Sequence, residues 1–161
     1  QHYSVGGLAQ RLVESYFDFL LAVDQDDHEV EIYDRLFRGG RVDAVIVPNT
    51  RVKDNRIAFL QAKGYPFVAY GRTADSRLYS WFDFDNAQCS HLAVEHLLSL
   101  GHTQIAYLHS PLELNFAAGR HQGFLHALQV AGLQCSPDRV ISGVNDRRSG
   151  VKAVQTLLQH S

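Results

Sequence analysis

Apolar and polar positions along this chain follow two rhythms, one of three to four residues and one of short unbroken runs. Val5, Leu8, Ala9 and Leu12 recur at helical steps, so the chain opens inside an amphipathic helix. Tyr16 to Val23 (YFDFLLAV) is aromatic-rich and reads as a strand. Val30, Tyr33, Leu36 and Phe37 form a second helical stripe, stopped by Gly39-Gly40. Val42 to Val47 is a strand, with the loop Pro48-Asn49-Thr50 at its carboxyl end. Asp54-Asn55 caps a short helix that turns Ile57 and Leu60 inward and ends at Gly64. Pro66 to Tyr70 is the next strand, and Trp81 to Phe84 a further extended piece.

The stretch from Phe82 to Leu133 carries the clearest pattern. Asp85 and Asn86 are natural N-cap residues, and Gly101 suits the left-handed position past a helix end. Between them Cys89, Leu92, Ala93, His96, Leu97 and Leu100 share one face, which the spacing turns inward. Gln104 to Leu108 is too short for a helix and apolar on both faces, as a buried parallel strand is. A polar loop from Ser110 leads to Asn115, the expected N-cap of a helix from Phe116 to Ala131, with Gly132 as its stop. A weak strand from Arg139 to Ser142, a loop from Gly143 to Arg148 and a helix with Val151, Val154 and Leu158 inward complete the chain.

Strands alternating with helices at roughly 25-residue spacing predict an α/β fold with a doubly wound parallel sheet. At 161 residues the chain is within range of one domain. Its 45% apolar and 20% charged content is that of an ordinary globular protein. A net charge of −2 gives no basic balance to recruit nucleic acid or an anionic membrane. No segment approaches the roughly 18 apolar residues of a spanning helix. Cys89 and Cys135 fit no metal spacing and make a poor disulfide framework, so both read as small buried thiols in a reducing compartment.

The phosphate and catalytic fingerprints of common enzymes (G-x-G-x-x-G, G-x-x-x-x-G-K-S/T, H-E-x-x-H, G-x-S-x-G) do not occur. Of the nine histidines, His91/His96 and His121/His126 are five apart, which is not one helical face, and no metal site is assigned. His96 reads as a core histidine of the apolar stripe. Asp83 and Asp85 are a carboxylate pair two apart, read as solvated. No catalytic residue and no cofactor is assigned.

Two features of the 116–131 helix are costly unless they serve something. Gly119 and Gly123 each cost about 1 kcal/mol relative to alanine. Arg120 stands between them at the positive end of the helix dipole, where a cation gains nothing. Glycines would let another body approach the backbone, and Arg120 could then present its planar donors at the carboxyl ends of the strands, where open parallel sheets bind ligands. The alternative is two tolerated glycines and a solvated arginine.

Taken together, Asp85-Asn86, the run Glu95-His96-Leu97 to Gly101-His102 with Ile105, Arg120 with Gly123-Phe124, and Ala131-Gly132-Leu133 closely resemble the effector-binding core of the lac-repressor (LacI/GalR) family of bacterial transcription regulators. Weaker likeness extends over nearly the whole chain, including Gly39 to Val47. The resemblance implies a periplasmic-binding-protein-like core of two lobes closing on a small molecule. Residues 1–133 would then be most of the first lobe, without its first strand, and residues 134–161 the beginning of the second. The helix-turn-helix module that normally precedes such a core lies outside this sequence, and the chain is expected to be a fragment.

The resemblance also implies ligand contacts at Asn115, Phe116 and Arg120. Asn145 matches a position near the cleft where relatives often carry an aromatic ring, and Asp85 either faces the cleft or simply caps its helix. Phe116 stands where many sugar-binding members carry a small hydroxyl residue. The implied function is sensing: a sugar or nucleoside-like effector binds between the lobes and controls operator DNA through the absent module. The implied setting is a cytoplasmic homodimer with no membrane partner. Its dimer contacts would come from the opening helix (Val5, Leu8, Leu12) and the start of the last (Asp146, Gly150). The competing reading is a solute-binding protein of a sugar transporter or chemoreceptor, on the same fold.

Overall fold

The computed structural model describes residues 2–22 and 28–159, with side chains from residue 6 onward. Two compact units are present, residues 1–45 and 46–161.

The first unit holds α1 (His2–Glu14) and α2 (Glu29–Arg38). In α2 acidic residues occupy the first turn and Arg35 and Arg38 the last, which suits the helix dipole. Asp34 and Arg38 pair at 3.1 Å one turn apart. Leu36 is its buried anchor, and Gly40, at φ +62°, ends it as the glycine pair predicts. The strand expected over 16–23 does not form among the described residues. Tyr16 turns the chain at φ +62°, Phe17 donates its N–H back to Leu12, and 17–22 pair with no strand. An apolar run becomes a strand only where a neighbour takes its backbone groups. Val23 lies outside the described residues.

The second unit contains two separate sheets. The first, in the order β1-β2-β3, is built from β1 (Val45–Val47), β2 (Phe67–Tyr70) and β3 (Ser80–Phe82). β2 and β3 are parallel, with Tyr70 opposite Phe82. Helix α3 (Asn55–Lys63) joins β1 to β2 and follows its caps closely. The Asp54 carboxylate accepts the Arg56 N–H, Gly64 closes the helix at φ +65°, and Ile57 and Leu60 are buried as expected. β1 is shorter than the 42–47 expected, because only its last three residues find a ladder partner.

The second sheet pairs β4 (Tyr107–His109) with β5 (Val140–Ser142) in parallel, Tyr107 opposite Val140. Between them in sequence runs α5 (Asn115–Val130), and before β4 runs α4 (Asn86–Ser99). β4 begins three residues later than the pattern suggests. The expected lobe boundary at 133/134 does not coincide with a change of sheet. Leu133, Cys135 and Val140 pack on the same core, Val94, Phe124, Ala127 and Leu128, as the helices before them. The change of sheet falls instead between Phe82 and Asn86.

Helix α4 turns the opposite stripe inward from the one predicted. Cys89, Leu92, Ala93, His96, Leu97 and Leu100 are exposed, and Val94 is buried. Both stripes are apolar, so periodicity alone cannot choose between them. Helix α5 chooses. A Cβ on Gly123 would lie 2.7 Å from the Ala87 carbonyl carbon, and one on Gly119 would lie 3.3 Å from the Asn86 Cβ. The glycines therefore mark where α4 rests on α5, and Ala87, Val94 and Leu98 follow that contact. The last helix, α6 (Arg147–Gln159), is also turned over: Val151, Val154 and Leu158 are exposed and Ala153 is buried.

Candidate functional site

Loops that follow the strands of the two sheets meet through hydrogen bonds. From the first sheet come the loop after β1, with Asn49 and Thr50, the turn Gly71-Arg72 after β2, and Asp83 after β3. From the second come His109-Ser110 after β4 and Gly143 to Asp146 after β5. The loops join through their backbones: Asn115 donates its N–H to Thr50 O at 2.9 Å, and Val52 donates to Glu113 O at 2.8 Å. Arg51 and Leu114 form an antiparallel bridge. The two loops of the second sheet are tied as well, since Val144 N–H donates to His109 O at 3.0 Å and Ser110 Oγ donates to Val144 O at 3.2 Å.

The loop after β1 is held from behind by a buried ion pair. Arg56 donates from Nη2 to Asp54 Oδ2 at 2.7 Å and from Nε to Oδ1 at 2.9 Å, and reaches Asn49 O at 3.1 Å. Asp54 also accepts the Arg51 N–H at 2.9 Å. Burial pushes the Asp54 carboxyl up, but the hydrogen bonds from Arg56 and the Arg51 N–H outweigh it, and its pKa lies below the ordinary 3.8. Thr50, buried, fills the space where Gly71 has no side chain; a Cβ there would overlap the Thr50 hydroxyl, and φ is +106°.

At the junction four polar side chains form a line across the two sheets. Arg72 approaches Asp83, Nε to Oδ2 at 3.6 Å. Asn86 donates from Nδ2 to Asp83 Oδ1 at 3.1 Å, and Arg120 donates from Nε to Asn86 Oδ1 at 2.9 Å. Each guanidinium lies over an aromatic ring, Arg72 over Trp81 at 5.1 Å and Arg120 over Phe116 at 5.3 Å. This gathers cationic donors, a carboxylate and two rings where open parallel sheets bind ligands.

The matched-family model described as periplasmic binding proteins and sugar binding domain of LacI family covers residues 5–161. The chain belongs to this family. It is 35% identical over 154 residues to the HTH-type transcriptional regulator RafR of Escherichia coli, across 96% of this chain and 45% of that protein. It is 33% identical to the regulator AglR of Rhizobium meliloti (strain 1021), across 96% and 44%. Among solved structures, a transcriptional regulator CelR in complex with cellobiose superposes with TM-score 0.84 at 30% identity, over 96% of this chain and 48% of that one. A regulatory protein of LacI family from Chloroflexus aggregans superposes with TM-score 0.78 at 31% identity, over 90% and 52%. The chain thus spans less than half the length of these curated relatives. They are transcriptional regulators, and they lend no support to the transporter alternative.

Within this LacI-family fold the expected site residues are distributed as follows. Phe116 and Arg120 are in contact, and Asn115 opens α5 as its first residue, one position later than the N-cap expected; Leu114 holds that place without a side-chain cap. Asn145 is exposed in the loop tied to β4, its N–H donating to Ser149 Oγ at 3.2 Å. Asp85 caps α4, accepting the Gln88 N–H at 2.8 Å, and lines a separate groove between α4 and α5 with His91 and His126. Asp146 is engaged as a cap of α6, accepting the Ser149 hydroxyl at 2.6 Å and the Ser149 N–H at 2.7 Å, which together hold its carboxyl below the ordinary range. Gly150, Leu8 and Leu12 are half-buried, and the Val5 side chain lies outside the described residues.

Asp83, read as solvated, is instead enclosed, with its side chain 7% exposed, and it follows the end of β3. Asn86 and Arg72 also belong to this line of polar side chains, beyond the residues expected from the sequence. The Asp83-x-x-Asn86 spacing was the available signal for one of them. His96 is exposed rather than a core histidine, and Cys89 is exposed as well. Under α5, Tyr107 stacks on Phe124 at 4.5 Å, and His109 and His121 lie 5.1 Å apart. Burial pushes the Tyr107 phenol up against the pull of Arg120 and a Ser90 hydrogen bond. Among the described residues no three His, Cys, Asp or Glu side chains gather as a metal site, and no helix is long and apolar enough to cross a membrane.

Proposed function

We propose that this chain is the effector-sensing part of a DNA-binding transcriptional regulator, and that its effector is a sugar. The observation that carries this is Arg120, held over Phe116 where the loops of the two parallel sheets meet. Planar guanidinium donors pair with neighbouring hydroxyl oxygens, and aromatic rings cover the apolar faces of a sugar ring. A solved relative binds cellobiose, which supports the same ligand class here. The two sheets are the cores of two lobes, with the chain crossing between them at 83–85, and the effector lies between Arg72, Asp83, Asn115, Phe116 and Arg120, with Asn145 at the rim. Operator DNA is bound through a module outside this chain. The protein works in the cytoplasm, without catalysis, as a homodimer joined through Val5, Leu8 and Leu12 of α1 and through the start of α6 at Asp146 and Gly150. Effector binding biases the lobe arrangement, and so operator affinity.

The test is calorimetry of the intact protein against a panel of mono-, di- and trisaccharides and nucleosides, with Arg120→Ala and Arg120→Lys beside it. Hydrogen bonds to a charged group are worth about 1.5–3 kcal/mol, so Arg120→Ala weakens sugar binding by roughly one to three decades. Arg120→Lys loses most of the same affinity, because an ammonium lacks the planar fork. Equal affinity in wild type and Arg120→Ala removes Arg120 from the site.

A further inference from the structure

We propose that Asn86 is a positioning residue for the effector site, holding Arg120 in place and, through Asp83, tying it to Arg72 of the other sheet; this rests on the site assignment above. Asn86 is the first residue of α4, but it is not needed as the cap, which Asp85 supplies. Its side chain is buried and fully used. Nδ2 donates to Asp83 Oδ1 at 3.1 Å and to Phe84 O at 3.1 Å, while Oδ1 accepts Arg120 Nε at 2.9 Å. Only one amide orientation fits. Turned over, the amide would set its oxygen against two acceptors and its NH2 against a donor.

The arrangement around it is equally specific. Gly119 makes room for it, since a Cβ there would crowd the Asn86 Cβ at 3.3 Å. Asp83, which receives its amide, also accepts the Phe84 N–H at 2.8 Å and meets Arg72. Asn86 takes only the Nε proton of Arg120, and Phe116 takes the guanidinium face. Among the described residues, neither uses the paired Nη edge that grips neighbouring oxygens. Arg120 is exposed, and a long side chain of this kind otherwise loses rotamer freedom on binding. Asn86 removes that freedom in advance, so its contribution is to preorganisation and reaches the ligand only through Arg120.

The test reads the arginine directly. In intact protein labelled with 15N-arginine, the Arg120 Nε–H, assigned by its loss in Arg120→Lys, exchanges slowly with solvent. Asn86→Ala brings it to the rate of exposed arginines. Thermal melting of each variant shows that it is folded. Titration with cellobiose, maltose, sucrose and melibiose gives affinity for whichever disaccharide binds wild type, and Asn86→Ala weakens it by about tenfold. Undiminished protection of Arg120 in folded Asn86→Ala overturns the proposal. Lost protection with unchanged affinity in Arg120→Ala as well upholds the hold of Asn86 on Arg120 and sinks the site assignment instead.

Discussion

Gly119 and Gly123 lie one turn apart on the same helix, yet alanine at the two positions has different consequences. Each replacement gains the same helix propensity, about 1 kcal/mol, part of it through a stiffer unfolded chain. The packing differs. At Gly123 the new Cβ would overlap the Ala87 carbonyl oxygen and lie 2.7 Å from its carbon and 2.9 Å from its Cα. These are backbone atoms and cannot rotate aside, so α4 and α5 must separate. Forced separation of packed elements costs about 1–3 kcal/mol and occasionally more. At Gly119 the nearest atoms are the Asn86 Cβ at 3.3 Å and the Ala87 N at 3.8 Å, which a shift of a few tenths of an ångström relieves. Gly119→Ala should therefore stay within about 1 kcal/mol of wild type, and Gly123→Ala should lie roughly 2 kcal/mol or more below Gly119→Ala. Because the propensity gain is common to both, the difference isolates the interhelical contact. Urea unfolding followed by circular dichroism measures it, and at about 2–4 °C per kcal/mol thermal melting does so independently. Equal stability of the two variants would refute the close approach of α4 to α5.

Other outcomes follow from groups already placed. Asp54→Ala leaves the buried Arg56 without its carboxylate and should cost about 3–5 kcal/mol in urea unfolding, where a solvated pair would cost almost nothing. Because Asp54 is held below its ordinary 3.8, its contribution is whole above pH 3.8 and is lost as pH falls through its lower folded value; Asp54→Asn should flatten acid unfolding in that range. Burial, and then the neighbouring His109, hold the His121 ring below its ordinary 6.5. Its contribution is therefore whole above pH 6.5 and declines as pH falls through the folded value, and His121→Phe should reduce the slope of stability against pH in that window. Light scattering of the intact protein at micromolar concentration should give a dimer, and a strict monomer counts against the regulator assignment.

Elements whose start and stop are both written in side chains were legible in the sequence. Asp54 and Gly64 bound α3, and Asp85 and Gly101 bound α4, each with a carboxylate accepting an N–H at one end and a positive φ at the other. What the sequence could not give was the choice between two apolar stripes on α4 and α6, because periodicity marks faces without saying which one is covered. The run YFDFLLAV shows the same gap for strands, since strand propensity says nothing about whether a ladder partner exists. In the site, Arg120 was legible because a cation between two glycines at a helix start is unfavourable by itself. Its holder was not, because Asn86 is 34 residues away and looks like any other cap residue.

The way the two sheets are joined bears on which positions are free to vary. Thr50, Val52, Glu113 and Asn115 meet through main-chain groups alone, which every residue except proline can supply on both sides. Replacing the side chains at 52, 113 or 115 leaves the two joining bonds in place. The site proposed above, by contrast, rests on the side chains of Arg72, Phe116 and Arg120 around them. The junction is thus written in the main chain and the proposed reader in side chains. Substitution in the second set, one residue at a time, therefore leaves the two hydrogen bonds of the junction intact.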